Sequence, residues 1–371
     1  MQIPPFKLER YFARYEFEAP YLLCSSDCES MTVQELLQYE PEAASALQQL
    51  WLGYTESAGN PQLRQEITRL YETIAPEEIL VHTGAEEAIF TFMNAALQPG
   101  DHIIVHWPCY QSLEEVAISL GCAVTRWETR EEEGWELNLD FLRQSIRANT
   151  RAVVVNCPHN PTGYQMSQDK QSQLIEIVRE NNLWLFSDEV YRYLEYREED
   201  RLPAAADLYE KAVSLGVMSK TFGLPGLRIG WIASHDREIY RRMADFKDYT
   251  TICNSAPSEI LATIALRHFE EIAERNRRIT TANLQLLNQF FATYSESFNW
   301  QPPKAGAIAF PSLRLNRSIE DFCRDLVEKK GVLLLPGNLF DYSNKNFRLG
   351  FGRRNMAQGL QRLEEFIREN L

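Results

Sequence analysis

The stretch Ala152-Val153-Val154-Val155-Asn156-Cys157-Pro158-His159-Asn160-Pro161-Thr162-Gly163 joins a wholly apolar run to a polar turn. An uninterrupted apolar run has no polar face to offer water. It therefore predicts a strand buried on both sides, as in a parallel sheet covered by helices. Asn160-Pro161-Thr162-Gly163 is turn chemistry, so the chain leaves the sheet there and carries its amide side chains past the carboxyl end of the strand.

Similar short apolar strands read on either side: Ile103-Ile104-Val105, Leu183-Trp184-Leu185-Phe186, Ala212-Val213-Ser214-Leu215 and Ile229-Gly230-Trp231-Ile232. Helical periodicity separates most of them. Leu63, Ile67 and Leu70 mark one helix face, and Ala88, Ile89, Phe92 and Met93 mark another that stops at Pro99-Gly100-Asp101. Further helices are expected over residues 113–120, 139–146 and 168–180. This alternation, from about Pro61 to Trp231, predicts an α/β fold with a mostly parallel central sheet sandwiched by helices. Beyond Ile232 a long helical region over 237–298 breaks near Asn254-Ser255-Ala256-Pro257. Short strands follow at 307–310, 332–335 and 347–351, with helices at 319–329 and 355–369, a mixture that reads as a smaller α+β domain. Residues 1–45 lack a strong period and are expected to pack on that domain. The expected division is a large domain at 46–270 and a small one built from 1–45 plus 271–371.

The charge balance, 38 basic against 52 acidic residues for a net −14, repels phosphate backbones and anionic lipid, so neither nucleic acid nor a membrane surface is an expected partner. The seven cysteines are scattered without a C-x-x-C pair, and six histidines are too few and too dispersed to suggest a metal centre. Reduced thiols, no apolar leader within Met1–Arg10 and no long apolar run predict a cytoplasmic protein.

Open parallel sheets bind ligands outside the carboxyl ends of their strands. Asn156 and Asn160 follow the strand at Val155, Asp188 and Tyr191 follow the one at Phe186, and Ser219, Lys220 and Arg228 follow the one at Leu215. One edge thus collects amide, carboxylate, phenol, amine and guanidinium groups. This set suits pyridoxal 5′-phosphate. A lysine amine condenses with its aldehyde, and a carboxylate keeps its ring nitrogen protonated. Amide and phenol bond the ring oxygen, and an arginine with helix N-terminal amides balances the phosphate. Singly these signals are ambiguous: Asn-Pro-x-Gly is a common turn, Ser-Asp-Glu a common helix cap, and Tyr54 or Tyr110 an ordinary core or interface aromatic. Their order at one sheet edge decides the reading.

The runs Asn156-Cys157-Pro158-His159-Asn160-Pro161-Thr162-Gly163, Ser187-Asp188-Glu189-Val190-Tyr191 and Ser219-Lys220-Thr221-Phe222-Gly223-Leu224-Pro225-Gly226-Leu227-Arg228 resemble those of fold-type I pyridoxal-phosphate enzymes, the class I/II aminotransferase family. The resemblance covers essentially the whole chain. It implies Lys220 as the Schiff-base lysine, Asp188 as partner of the ring nitrogen, Asn160 and Tyr191 at the ring oxygen, and Arg228 with Ser219 at the phosphate. Thr83-Gly84-Ala85-Glu86 resembles the family's phosphate turn, Tyr110 its ring-stacking aromatic, and Tyr54 the tyrosine that reaches the phosphate of a partner subunit. Arg348 matches the arginine that clamps the substrate α-carboxylate, shared with Asn160. The implied activity is ping-pong transfer of an amino group from an L-amino acid to a 2-oxo acid by a homodimer with shared sites.

Two positions depart from the family pattern. Val217 stands where a serine or threonine often holds the phosphate, and Glu86 stands where a small hydroxyl residue is frequent. The N-terminal strip Leu23-Cys24-Ser25-Ser26-Asp27-Cys28-Glu29 is also unusually polar. Asp27 or Glu29 is expected to face the substrate side chain and favour a cationic or polar one. The same residue set supports a lyase or a cyclase acting on a substituted, arginine-like amino acid, because those reactions start from the same carbanion.

Overall fold

The computed structural model describes residues 2–370. Seven strands form the central sheet: β1 (Ile79–His82), β2 (His102–Trp107), β3 (Ala123–Glu128), β4 (Thr150–Asn156), β5 (Trp184–Asp188), β6 (Ala212–Val217) and β7 (Gly230–Ala233), in the spatial order β1-β7-β6-β5-β4-β2-β3. The pairs β2/β3, β2/β4, β4/β5 and β5/β6 are parallel, whereas β7 runs antiparallel to both β6 and β1. The reversal has a simple cause. Only the tight turn around Lys220 and the short 3₁₀ turn Pro225–Leu227 separate β6 from β7, with no α-helix of the kind that usually carries a parallel crossover.

Alternation along the strands explains why the runs look uniformly apolar. Ile103, Val105, Ala152, Val154 and Phe186 enter one core, beneath helices Gly84–Ala96, Ser112–Ser119 and Arg237–Lys247. Ile104, Val153, Val155 and Leu185 enter the opposite one, with Leu174, Ile175 and Val178 of helix Gln168–Glu180. Both faces are covered, so neither position of the alternation is free to be polar.

Two strands escaped the sequence pattern. β1 is only four residues long and follows the 3₁₀ turn Pro76–Glu78, while β3 lies at the sheet edge, exposed at both ends and partly buried over Val124, Thr125 and Arg126. The expected helical region over 237–298 resolves into Arg237–Lys247, Ala256–Arg267 and Phe269–Thr293, with a second break at His268.

The C-terminal part adds β8 (Phe298–Asn299), β9 (Ile308–Ala309), β10 (Ser312–Leu313), β11 (Leu335–Pro336) and β12 (Phe347–Gly350), paired antiparallel as β10-β8 and β11-β12-β9. Helices Ile319–Lys330 and Met356–Asn370 cover them around a core of Phe322, Leu326, Phe347, Leu349, Leu363 and Phe366.

The N-terminal segment divides its contacts. Tyr21 bridges to Val332, and Leu23 accepts from Gly350 N–H (3.0 Å) and belongs to the C-terminal core. A side chain at Gly350 would collide with the Ser25 backbone, so this glycine lets the Ser25–Asp27 strip lie directly on β12. Leu36, by contrast, packs with Leu261 and Ala262 of the long helical region. Helix Lys7–Tyr15, which the sequence pattern had not suggested, buries Leu8 against the central sheet and is tied down by Lys7 N–H to Gln111 (2.9 Å) and by the Tyr11 hydroxyl to Leu334 O (3.1 Å).

Candidate active site

Three neighbouring parallel strands end at one edge. Asn156 closes β4 and lies opposite Asp188, the last residue of β5, which lies opposite Leu215 of β6. β6 continues to Val217, and Lys220 sits in the turn that follows, closed by Gly223 N–H to Lys220 O (3.1 Å) and Leu224 N–H to Met218 O (2.9 Å). The sheet ladder therefore fixes where the amide, the carboxylate and the amine stand relative to one another.

A cavity of about 390 Å³ opens above this edge. Asn160, Asp188, Tyr191, Ser219, Lys220 and Arg228 line it from the strand ends. Ala85 and Glu86 enter from the first turn of helix Gly84–Ala96, Tyr110 from the loop after β2, and Arg348 from β12. Asp27 lines it as well, whereas Glu29 turns away to accept the Arg354 backbone N–H (2.8 Å). Tyr54 is not a wall of this cavity and its side chain is 85 % exposed. A larger open depression of about 940 Å³ lies at the opposite edge, where Asp101, Arg147 and Lys211 precede their strands and Arg151 stands at the start of β4. Its Arg151 and Asp101 already neutralise each other (3.0 Å), and the strand-end chemistry is absent there.

Sequence reasoning gave several wall residues no role of their own. Asn156 donates its side-chain N–H to Asp188 O (3.0 Å) and accepts from Asn160 N–H (2.6 Å), so one buried amide joins the two strand ends. Its place as the last β4 residue was the available signal. Ser26 accepts from Lys220 Nζ (2.8 Å), and Glu9, Phe12 and Glu16 overhang the cavity. No motif marks these four, because the contacts join segments about 200 residues apart.

Burial dominates the electrostatics. It pushes the Asp188 carboxyl up to about 7, against the Val190 backbone N–H and the nearby Lys220 ammonium. Burial lowers the Lys220 amine, with Asp27 opposing and Arg348 reinforcing the shift, which favours a neutral, nucleophilic nitrogen. Glu86 is also pushed up to about 7 by burial, against its hydrogen bond from Ser112 (3.0 Å). Arg348 is fully buried and donates to Cys24 O (2.9 and 3.1 Å) and to Asn160 Oδ1 (3.1 Å).

Pyridoxal phosphate can be tested against these walls. The Tyr191 hydroxyl is buried without a hydrogen-bond partner among the described residues, an arrangement that normally costs about 1–3 kcal/mol and so calls for a ligand atom. Gly84 has φ +79°, and a side chain there would strike the Arg228 guanidinium. The turn thus brings backbone amides at a helix N-terminus beside an arginine, as an anionic phosphate requires. Lys220 and Asp188 supply the amine and the buried carboxylate. The residues fit the group.

Comparison with known proteins agrees with this fit. The family described as "Aminotransferase class I and II" matches residues 20–363. A PLP-dependent aminotransferase from Streptococcus suis 89-1591 superposes with a TM-score of 0.94 at 34% identity, covering 100% of this chain and 99% of that one. The PLP-dependent cyclase OrfR superposes with a TM-score of 0.92 at 30% identity, again over 100% and 99%. Capreomycidine synthase of Streptomyces vinaceus is 28% identical over 98% of this chain and 94% of its own. The chain belongs to the class I/II aminotransferase family, whose members depend on pyridoxal phosphate and act on amino acids.

Proposed function

We propose that this family member binds pyridoxal 5′-phosphate through Lys220 and moves an amino group from an L-amino acid to a 2-oxo acid in two half-reactions. The observation that carries the reading is the Lys220 amine standing in one cavity with buried Asp188 and buried Arg348. The bound cofactor would supply an aldehyde that captures the amino group and a ring that accepts electrons from Cα. Asp188 would hold a proton on the ring nitrogen; a cation there reverses the effect of burial and returns the carboxyl to its charged form. Asn160 and Tyr191 would hold the ring oxygen, and Tyr110 would lie against the ring. Arg228, Ser219 and the amides of Gly84, Ala85 and Glu86 would hold the phosphate, which leaves Val217 with a packing role. Arg348 and Asn160 would clamp the α-carboxylate, orienting the Cα proton toward Lys220. Lys220 Nζ would take that proton, and the Ser26 hydroxyl, which accepts from Nζ (2.8 Å), would steady the free amine.

In single turnover, the loaded protein mixed with an amino acid should release one equivalent of 2-oxo acid before any second substrate is added. Release of ammonia, or of no oxo acid at all, would remove the transaminase reading.

A second reading has its own support. Glu9 and Glu16 overhang the cavity, and a synthase and a cyclase of this family align over nearly the full chain. Ring closure on an arginine-like amino acid would consume substrate with no oxo acid formed, and elimination would release ammonia together with its oxo acid, so the same experiment separates both from transamination.

We also place the enzyme in the cytoplasm as a homodimer, with residues 46–270 as the cofactor-carrying unit. Trp51, Leu52 and Tyr54 are 78–85 % exposed in one short stretch, an apolar patch that a second copy would cover. Sedimentation of a fully active monomer would remove the dimer. No helix among the described residues is long and apolar enough to cross a membrane.

A further inference from the structure

Helix Lys7–Tyr15 lies across the mouth of the cavity and presents Glu9, Phe12 and Glu16 to it. The spacing i, i+3, i+7 puts these three on one helical face, and Glu16 keeps helical geometry (φ −61°, ψ −39°) although it caps the element. The Phe12 ring stands 6.0 Å from the Arg348 guanidinium carbon, so this face passes close to where an α-carboxylate would be clamped. A substrate side chain leaving Cα away from the floor meets this face.

The charges around the cavity do not cancel there. Asp27 is taken by Arg353, which donates to both of its oxygens (2.9 and 3.0 Å). Asp188 and Glu86 sit low, beside the groups assigned to the cofactor, as do Lys220 and Arg228. Glu9 and Glu16 have no hydrogen bond or ion pair from their side chains among the described residues. Burial raises the Glu16 carboxyl, and Glu9 and Asp27 add to the rise, with Arg353 and Lys220 opposing it more weakly. A cation between them would relieve that repulsion. The acids also do not form a mere surface cluster, because they line the same cavity as Lys220 and Arg348, beside the Phe12 ring.

We infer that Glu9 and Glu16 are the specificity-determining residues of this enzyme, and that they select an amino acid with a cationic side chain by flanking its terminus from one face of helix Lys7–Tyr15. Asp27 acts as a positioning residue, held in place by Arg353. The inference rests on the amino-acid reading above and names its substrate class.

The test uses L-arginine and L-citrulline, which match in length and shape and differ by one charge. Each is titrated into the cofactor-loaded full-length protein, and the half-saturating concentration is read from the cofactor's absorbance. Arginine should be favoured about tenfold or more, as a charge-assisted contact requires. Glu9→Gln and Glu16→Gln should each cut that ratio about threefold, and the double variant should bring it close to one. Glu16→Lys should invert it. A loosened helix would weaken both probes together and leave the ratio unmoved, so the ratio separates a charge contact from a structural role. A wild-type ratio near one, or a ratio that the Gln variants leave unchanged, overturns the inference while the transaminase reading stands. Absence of any response to any amino acid removes that reading and the selector with it.

Discussion

The floor and the roof of the cavity are built differently. The floor consists of strand ends: Asn156, Asp188 and Tyr191 are almost completely buried, and the β4–β5–β6 ladder sets their spacing. The roof is a nine-residue helix held by a few contacts at Lys7, Leu8 and Tyr11, with Glu9 in solvent and Glu16 half-buried. Chemistry at Cα needs groups placed to within a fraction of an ångström, which a sheet edge provides. A surface helix cannot match that rigidity, but it can change its side chains without disturbing the core. The floor is therefore suited to the chemistry at Cα, and the roof to the choice of side chain.

The sharpest way to break this division is Lys220→Ala. If the floor holds the chemistry, turnover should fall by about 10²–10⁴-fold or more, and the absorbance of the bound cofactor should change with it. Survival of activity would mean that the reacting amine lies elsewhere.

A second test is thermodynamic. In protein freed of cofactor, the Asp188 carboxyl stands near 7 against an ordinary 3.8, so the folded state binds a proton that the unfolded chain releases. Its contribution is complete below about pH 4 and is lost as pH rises through about 7, by up to about 4 kcal/mol. Melting temperature should thus decline over that window, and Asp188→Asn should flatten the decline. Saturation with pyridoxal phosphate should do the same, because a ring cation compensates the charge.

Asn156→Ala probes the tie between strand ends. Losing the bonds to Asp188 O and Asn160 N–H should destabilise the protein by about 1–3 kcal/mol in chemical denaturation. The smallest effect is expected at Glu29→Gln. This residue faces the Arg354 backbone rather than the cavity, so the order of preferred amino acids should not move and stability should change by about 0.5 kcal/mol or less. A reordered preference would extend the roof beyond the helix.

Legibility followed the same division. The buried strands β2, β4, β5 and β6 announce themselves because both faces are covered, and their polar successors Asn160, Asp188 and Lys220 could be located from strand ends alone. β1 and β3 were hidden, one by its length and the other by an edge position that tolerates polar residues. Helix Lys7–Tyr15 was hidden for another reason. Leu8, Tyr11, Phe12 and Tyr15 do recur at i, i+3, i+4 and i+7, but nine residues make a marginal helix by themselves, and this one is stabilised by what it packs on. Asp27 was within reach as an unusual acid, but its pairing with Arg353, 326 residues away, was not.

By itself, then, the sequence determined the parallel sheet, the edge at which ligands meet it, and the residues that stand there, since burial and strand direction follow from local pattern. Only the tertiary structure decided which distant groups face those residues. It laid Ser26 on Lys220, turned Asp27 to Arg353 and Glu29 away, and set Glu9 and Glu16 over the opening. These are contacts between segments far apart in the chain, made by packing on β12 and the central sheet, and no local pattern of residues encodes them.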